Sequence, residues 1–390
     1  MRRLASLFVL IAIFVAAPAR ADDPVMVGGP GMSGTPPSVD PAANVPESGT
    51  APPSGAGATP FFAPIPFKNS QIGWGLAAMA GVIHRLDPDT TLKPSTGALG
   101  GFYSENKSWG VFAVEMARLK QDRWRLIGLA MYADVRYDFF GVGEAAGDAG
   151  VSVPVDQKMA IALGMGLRRL TTGLYAGPSF LWIRSDVALD ESFESPELPA
   201  EEDLQRIDLL APGIQAEFDS RNDDYWPSHG SYAITRATFF TKGMGSSREF
   251  QRYMVGWSWF ATLKPERLVL ATNLNSTIAK GDVPFWAIPS VGAGMYGLRG
   301  YTQGRYRDKV VTTIQAELRG HTAGRLGANA FFGIAQVAPS LGDLGDADVL
   351  PAGGAGLRFQ LTDKYPMHMR ADYAWGKKEN ILYISIGEAF

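Results

Sequence analysis

Polar and apolar residues alternate with period two along most of the chain, and no window beyond the N-terminal segment is apolar enough for a membrane helix. In "YMVGWSWFA", Tyr253, Val255, Trp257, Trp259 and Ala261 share one face, opposite Met254, Gly256 and Ser258. In "MHMRADYAW", Met367, Met369, Ala371, Tyr373 and Trp375 oppose His368, Arg370 and Asp372. "GLRFQL" sets Leu357, Phe359 and Leu361 against Arg358 and Gln360, and "VTTIQAELRG" sets Thr312, Ile314, Ala316 and Leu318 against Gln315, Glu317 and Arg319. Each segment predicts a strand with one apolar and one polar face.

Counted back from the C-terminus, such segments fall near 381–390, 366–377, 351–361, 325–338, 309–320, 266–280, 249–262 and 231–243. They continue near 206–219, 171–185, 156–168, 122–138, 108–118, 95–104 and 71–84. A soluble sandwich would alternate in the same way. The length of these segments exceeds that of most soluble strands, and aromatic residues gather near their ends as in a membrane-interface girdle. The pattern therefore predicts an all-β, transmembrane antiparallel β-barrel with apolar faces to lipid and polar faces to the lumen. Bacterial single-chain barrels are closed with an even number of strands, because an open edge in lipid leaves unpaired backbone groups. The sixteenth strand is placed at 59–67, "TPFFAPIPF", whose prolines make it a weak partner for the last strand. Long connections at 139–155, 186–205, 281–308 and 339–350 fall on one side. Short ones at 169–170, 263–265, 321–324 and 362–365 fall on the other, with 220–230 and 85–94 as longer exceptions.

Composition narrows the reading. A net charge of −3 over 390 residues argues against a duplex nucleic-acid binder. The absence of cysteine excludes disulfides and thiolate metal sites, and the four histidines (His84, His229, His321, His368) lack metal-ligand spacing. Neither "GMGSS" nor "GVGEAAGDAG" precedes a lysine-bearing helix, so neither is a phosphate cradle. With no G-x-S-x-G and no nucleophile–base set, neither an enzyme nor a cofactor is expected. Residues 1–21 read as a secretory signal: basic Arg2 and Arg3, an apolar run from Leu4 to Val15, and a small-x-small site at Ala19–Ala21. Residues 22–58 are rich in Gly, Pro, Ser and Ala and predict a disordered arm, leaving 59–390 for the barrel.

The longest outer connection carries "YGLRGYTQGRYRD", with three arginines among glycines and tyrosines. Its Leu298-Arg299-Gly300-Tyr301 tip, followed by Gly304, Arg305, Tyr306, Arg307 and Asp308, resembles the inward-folded loop of the Omp85 or bacterial surface-antigen superfamily, to which BamA/TamA-like barrels belong. Three further stretches are similar to that family. They are "DSRNDDYWPSHG" (Asp219, Arg221, Asp223, Pro227, Gly230), "AGGAGLRFQL", and the terminal "ILYISIGEAF" with its closing Phe390. "YDFFGVGE" at 137–144 is similar to the family's fifth-strand end.

The resemblance implies that the loop enters the lumen and that its arginine pairs with wall carboxylates. An arginine there needs bidentate, charged partners in any case. Glu317, inward by the alternation, is the first candidate. The family's thirteenth-strand aspartate is replaced by Gly333 in "FFGIAQ", so the loop is either held less tightly or held also by Asp372. The plainer reading of Arg299 and Glu317 is a folding clamp. Asp219, Arg221 and Asp223 read as a turn lock at the periplasmic rim, Phe390 as an insertion signal for the host barrel-assembly machinery, and Gly387 as a weak point of the last strand.

Where members of the family usually carry periplasmic POTRA domains, this sequence is expected to have only the disordered arm. The resemblance implies an outer-membrane protein of a Gram-negative bacterium that meets lipid and lipopolysaccharide. It would assist protein insertion or translocation through a weak seam between first and last strands, with client outer-membrane proteins or a periplasmic partner. The alternative is a passive pore or structural barrel.

Overall fold

In the computed structural model of the protein, residues 58–86, 94–189, 204–223, 226–265, 267–292, 297–361 and 368–390 are described. The expected signal and all but the last residue of the expected arm lie outside them. Sixteen strands follow one another: β1 Thr59–Asn69, β2 Gly73–His84, β3 Ser95–Ser104, β4 Trp109–Leu119, β5 Trp124–Phe139, β6 Val153–Thr171, β7 Leu174–Leu189 and β8 Ile207–Asp219. They continue as β9 Gly230–Phe240, β10 Phe250–Lys264, β11 Leu268–Gly281, β12 Val310–Ala323, β13 Leu326–Ala338, β14 Leu350–Gln360, β15 His368–Trp375 and β16 Asn380–Ile386. Each pairs antiparallel with its sequence neighbours, and β1 meets β16 to close the barrel. Among the described residues no helix is long and apolar enough to cross a membrane.

The facing of side chains follows the alternation on β10, β12, β14 and β15. Trp257, Trp259, Leu318, Leu357, Phe359 and Tyr373 point outward, while Ser258, Gln315, Glu317, Arg319, Arg358 and Asp372 are buried within. Trp74, Tyr103, Trp109 and Trp375 face outward near one rim and Trp124 near the other, where an amphipathic ring suits the lipid boundary.

On β5 to β8 the expected polar lumen is replaced by apolar side chains. Ile127, Val135, Tyr137, Val155, Met159, Ile161, Leu163, Ile183 and Leu209 are buried inward in one continuous core. Outward positions at the long-loop ends of these strands carry ion pairs instead: Arg136–Asp156 at 3.4 Å, Arg184–Asp208 at 2.7 Å and Arg206–Asp186 at 2.8 Å. Exposed pairs of this kind belong in water, so these strand ends stand above the lipid. Their inner faces close over one another as a packed apolar interior.

Closure is uneven. β1 and β2 pair over their full facing lengths, from Thr59↔Ile83 to Asn69↔Gly73. Between β1 and β16 the register holds a single pair, Lys68↔Ile384, at the long-loop end. β1 offers no backbone donor at Pro60, Pro64 or Pro66. β16 stops at Ile386, short of the extended run to 390 that the alternation predicts. Gly387 adopts φ +87°, open to glycine at little cost, and its N–H donates to the His368 carbonyl at 2.8 Å. Glu388, Ala389 and Phe390 thereby leave the wall and turn inward.

Phe332, in the middle of β13, is 60 % exposed and lipid-facing. Replacing it by arginine is expected to cost about 2–4 kcal/mol, read from folding titrations into vesicles, if the strand crosses the bilayer there. A cost below about 1 kcal/mol would place this position outside the hydrocarbon.

Candidate functional site

The connection between β11 and β12 doubles back as a hairpin: Val291 N–H donates to the Tyr306 carbonyl at 2.8 Å, and Ser290 bridges Arg307. Its tip enters the lumen, where Leu298 and Tyr301 are fully buried. Tyr296 lies outside the described residues.

Arg299 stands between two carboxylates on different strands. Its Nη1 donates to Asp372 Oδ2 on β15 at 2.6 Å and its Nη2 to Glu317 Oε2 on β12. The guanidinium lies over the Phe331 ring of β13, 3.6 Å from its centroid. Both carboxylates are inaccessible, so a charge-assisted pair on each arm offsets the desolvation of the cation. Of the two states left open for the loop, the structure has the one in which Asp372 joins Glu317. A side chain at Gly333 would be displaced by the loop itself, since a Cβ there would meet Leu298 Cδ1 at 2.5 Å.

The wall carboxylates serve further arginines. Glu317 Oε1 accepts from Arg319 Nε at 3.0 Å and Arg358 Nη2 at 3.3 Å, and Asp372 Oδ1 accepts from Arg358 Nη1 at 2.5 Å. Arg370 Nη1 approaches Asp372 at 3.6 Å. Glu388 from the inward tail meets Arg358 at 3.0 Å and Arg319 at 3.8 Å.

The rest of the motif ties the loop across the outer end of the seam. Gly300 has φ +107°, and a Cβ there would lie 2.9 Å from the Trp375 carbonyl. Its N–H donates to the Tyr383 hydroxyl of β16 at 3.1 Å. Tyr301 donates to the Pro351 carbonyl at 2.6 Å. On the β1 side, Gln303 N–H donates to Ser70 Oγ at 3.1 Å, and its carbonyl accepts from Gln71 at 2.7 Å. On the β16 side, Thr302 N–H donates to Glu379 Oε1 at 2.9 Å. Loop residues 302 and 303 thus grip both turns that flank the seam.

Farther out, a short helix α1 (Glu144–Ala149) caps the loop. Arg305 donates to the Gly147 carbonyl at 3.0 Å and Tyr306 to Asp148 at 2.9 Å, while Lys377 reaches Asp148 at 2.9 Å and Glu144 at 3.3 Å. Arg307 donates to the Gly304 and Phe285 carbonyls at 3.0 and 2.9 Å, and Asp308 Oδ1 accepts from Lys309 N–H at 2.7 Å. The Lys377 ammonium and its hydrogen bond, with Tyr306 and Lys378, hold Asp148 down to about 2.

At the opposite rim, Asp219 and Arg221 lock the β8–β9 turn: Arg221 Nε and Nη2 donate to the two Asp219 oxygens at 3.0 and 2.6 Å. Asp223 Oδ1 accepts from Trp226 N–H at 2.7 Å, Pro227 is buried, and Gly230 opens β9 at φ +101°. Phe390 is only 8 % exposed and sits inside the barrel with Tyr232, Ile234, Met254, Phe260 and Ala271. A cavity of about 160 Å³ follows the seam, lined by Ile65 and Phe67 of β1, Ile384 and Ser385 of β16, Arg299 and Ala389.

Sequence reasoning passed over Arg319, Arg358, Glu388, Glu379 and Asp148. The two arginines were inward by alternation and were legible as unpaired cations in a lumen. Glu388 and Phe390 were hidden by reading β16 through to the terminus.

Residues 99–390 match the family model described as the Omp85 superfamily domain. The chain belongs to that superfamily, whose barrels lie in the outer membrane of Gram-negative bacteria. Among solved structures, it is similar to BamA from Haemophilus ducreyi lacking POTRA domains 1–3, with a TM-score of 0.59 at 18 % identity, covering 84 % of this chain and 69 % of that one. CdiB from Escherichia coli gives a TM-score of 0.61 at 11 % identity over 86 % of this chain and 63 % of that one. CdiB from Acinetobacter baumannii gives 0.57 at 13 % over 84 % and 59 %. At these identities the likeness is one of fold, and the chain spans less than two thirds of either CdiB. Comparison with curated proteins gave no match.

Removing the Arg299 side chain leaves Glu317 and Asp372 with fewer cations in a dry site. Arg299→Ala is expected to destabilise by about 3–5 kcal/mol and to release amide-exchange protection across 297–308. Arg299→Lys recovers little, because an ammonium cannot span both carboxylates as a planar fork does; full recovery would reduce the arginine to a point charge. For the cap, a folded-state value near 2 against an ordinary 3.8 means the Asp148 contribution is fully present above about pH 4. It is lost as pH falls through 2. Protection of 144–149 is expected to follow that course, and Asp148→Asn to be insensitive to pH over the same range.

Proposed function

We propose that the protein inserts or translocates other proteins at the seam between β1 and β16, as an Omp85-type barrel that opens from its periplasmic end. The observation that carries this reading is the single registered pair at the outer end, Lys68↔Ile384. The wall-wide pairing of every other strand contrasts with it. A sheet edge with unpaired backbone groups is a template for an incoming strand, and in lipid such groups cost several kcal/mol each unless a partner satisfies them. Proline at positions 60, 64 and 66 limits what β1 donates at its edges. The loop grips both flanking turns at the outer end, which leaves the periplasmic half as the end free to part. Arg299 is proposed as the residue that keeps this hinge assembled. BamA and CdiB, barrels of the same fold, support the reading as relatives in architecture.

The passive-pore alternative draws no support from the lumen. One half is packed with apolar side chains, and the other is occupied by the Arg299 loop and the inward tail.

Photo-crosslinking from Ile384 and Ile386 in cells tests the reading, with adducts identified by mass spectrometry. Adducts to several nascent outer-membrane proteins, lost in Arg299→Ala, are expected. Crosslinks confined to the protein's own first strand would show a closed wall and overturn it.

A further inference from the structure

The short turns at the rim of β4 to β7 carry cations that the wall around them does not neutralise. Residues 118–126 and 166–176 together hold six arginines and lysines and a single acid, Asp122, in a chain whose net charge is −3. Asp122 is taken up by Arg125 and Arg118. That leaves Lys120 and Arg123 exposed on the β4–β5 turn, Arg168 exposed at the end of β6 and Arg169 half-buried beside it, with no ion pair to any of the four among the described residues. At the long-loop end of the same strands, by contrast, Arg136, Arg184 and Arg206 each have an aspartate partner.

The β4–β5 turn is built to keep this display. Lys120, Gln121 and Asp122 have φ of +54°, +59° and +55°, a run of left-handed backbone that residues with a Cβ visit rarely and as single positions. The run is held through its last member. Arg125 Nε and Nη2 donate to Asp122 Oδ1 and Oδ2 at 3.0 and 2.7 Å, and the Tyr175 hydroxyl donates to Oδ2 at 2.5 Å. Arg125 in turn lies over the Tyr175 ring, 3.5 Å from its centroid. The Arg169 N–H donates to the Arg123 carbonyl at 2.8 Å, which sets the two turns side by side. A disfavoured backbone kept in place while it presents unpaired charge points to a ligand rather than to packing.

The position selects lipid over a soluble partner. Trp124 pairs with Arg168 across β5 and β6, both are exposed on the outer face, and the guanidinium is 5.9 Å from the indole ring centroid. An outward tryptophan at a strand end marks the headgroup level of the bilayer, and short turns lie on the periplasmic side. The cations therefore stand where lipid phosphates lie. Leu126 follows on the same outer face at 42 % exposure. Beyond it Gly128 opposes Gly164, and no atom comes within 4 Å of the Cβ position of either. An acyl chain can lie along that strip with its own phosphate among the cations.

We propose that the rim formed by Lys120, Arg123, Arg168 and Arg169 binds the headgroup of an anionic phospholipid of the periplasmic leaflet. Its phosphate meets the guanidinium groups of the two turns, and one acyl chain runs past Trp124 and Leu126 over Gly128 and Gly164. The site lies on the wall away from β1 and β16 and does not depend on the seam reading.

The test is native mass spectrometry of the intact chain released from detergent micelles, with phosphatidylglycerol or phosphatidylcholine of the same acyl chains as the probe. Retained phosphatidylglycerol is expected to exceed phosphatidylcholine by at least about tenfold, at roughly fivefold per cation near an anionic surface. Arg123→Gln/Arg168→Gln is expected to bring the ratio near one, while Arg184→Gln/Arg206→Gln, two cations lost at the other rim, leaves it unchanged. Asp122→Asn separates a built site from bulk attraction: it makes the rim more positive, yet by loosening the turn it is expected to lower phosphatidylglycerol binding. A rise there would reduce the rim to bulk charge and overturn the proposal; should that variant fail to refold, the two arginine pairs still decide. Equal retention of the two lipids by the intact chain, or an equal loss of preference in both arginine-pair variants, also overturns it. So does displacement of the lipid by glycerol phosphate at equal concentration, which would assign the rim to a free phosphate, or by a polyglutamate peptide, which would assign it to an acidic protein surface.

Discussion

The lumen is organised around one guanidinium held by two strands that are not neighbours. Arg299 reaches Glu317 on β12 and Asp372 on β15, with Phe331 of β13 against its face. A planar fork with five donors can address two carboxylates at once while stacking on a ring, and no other side chain does all three. From that anchor the rest of the loop has a fixed reach. Leu298 lands on Gly333, Gly300 meets the β15–β16 turn, and residues 302 and 303 contact the turns on either side of the seam. The loop thus ties together an outer rim that strand pairing alone does not close.

This arrangement divides the barrel by energetic character. On the β5 to β8 side, stability comes from apolar side chains packed inward, each worth roughly 1.5–3 kcal/mol when fully buried. On the β12 to β16 side it comes from compensated charge, whose net worth is small but whose disruption is costly. A wall held by dry packing is stiff. One held by a charge lattice is stable while every partner is present and changes arrangement when one is exchanged. The seam and the inward tail both lie on the second side.

Much of the fold was legible because period-two alternation survives at every strand, and an even count forced the search for a proline-bearing first strand. The inward faces of Glu317, Arg319, Arg358 and Asp372 followed from the same period. The apolar lumen of β5 to β8 was not legible. Alternation between Met159, Ile161 and Leu163 on one face and Ala160, Ala162 and Gly164 on the other tells which residues share a face, not which face meets lipid. The turn at Gly387 escaped for a different reason: "ISIGEAF" alternates well enough to extend, and only the arginines waiting in the lumen explain why it does not.

The motif that looked most functional is then best understood through the residues it keeps in place. Arg305, Tyr306 and Arg307 bond to the cap and to loop carbonyls, so their charges are spent on the outer closure. Arg299 is spent on the hinge. Arg319 is inaccessible and keeps its Nη1 without a hydrogen-bond partner among the described residues, as Arg299 does its Nε, while its Nη2 donates to the Phe390 backbone oxygen. Charge that a fold does not consume internally is where a ligand acts most cheaply, since binding there removes a cost already present in the unliganded state. By that argument the charge lattice on the β12 to β16 side, at the loop tip and below it, is the part of the barrel whose stability depends most on every partner staying in place.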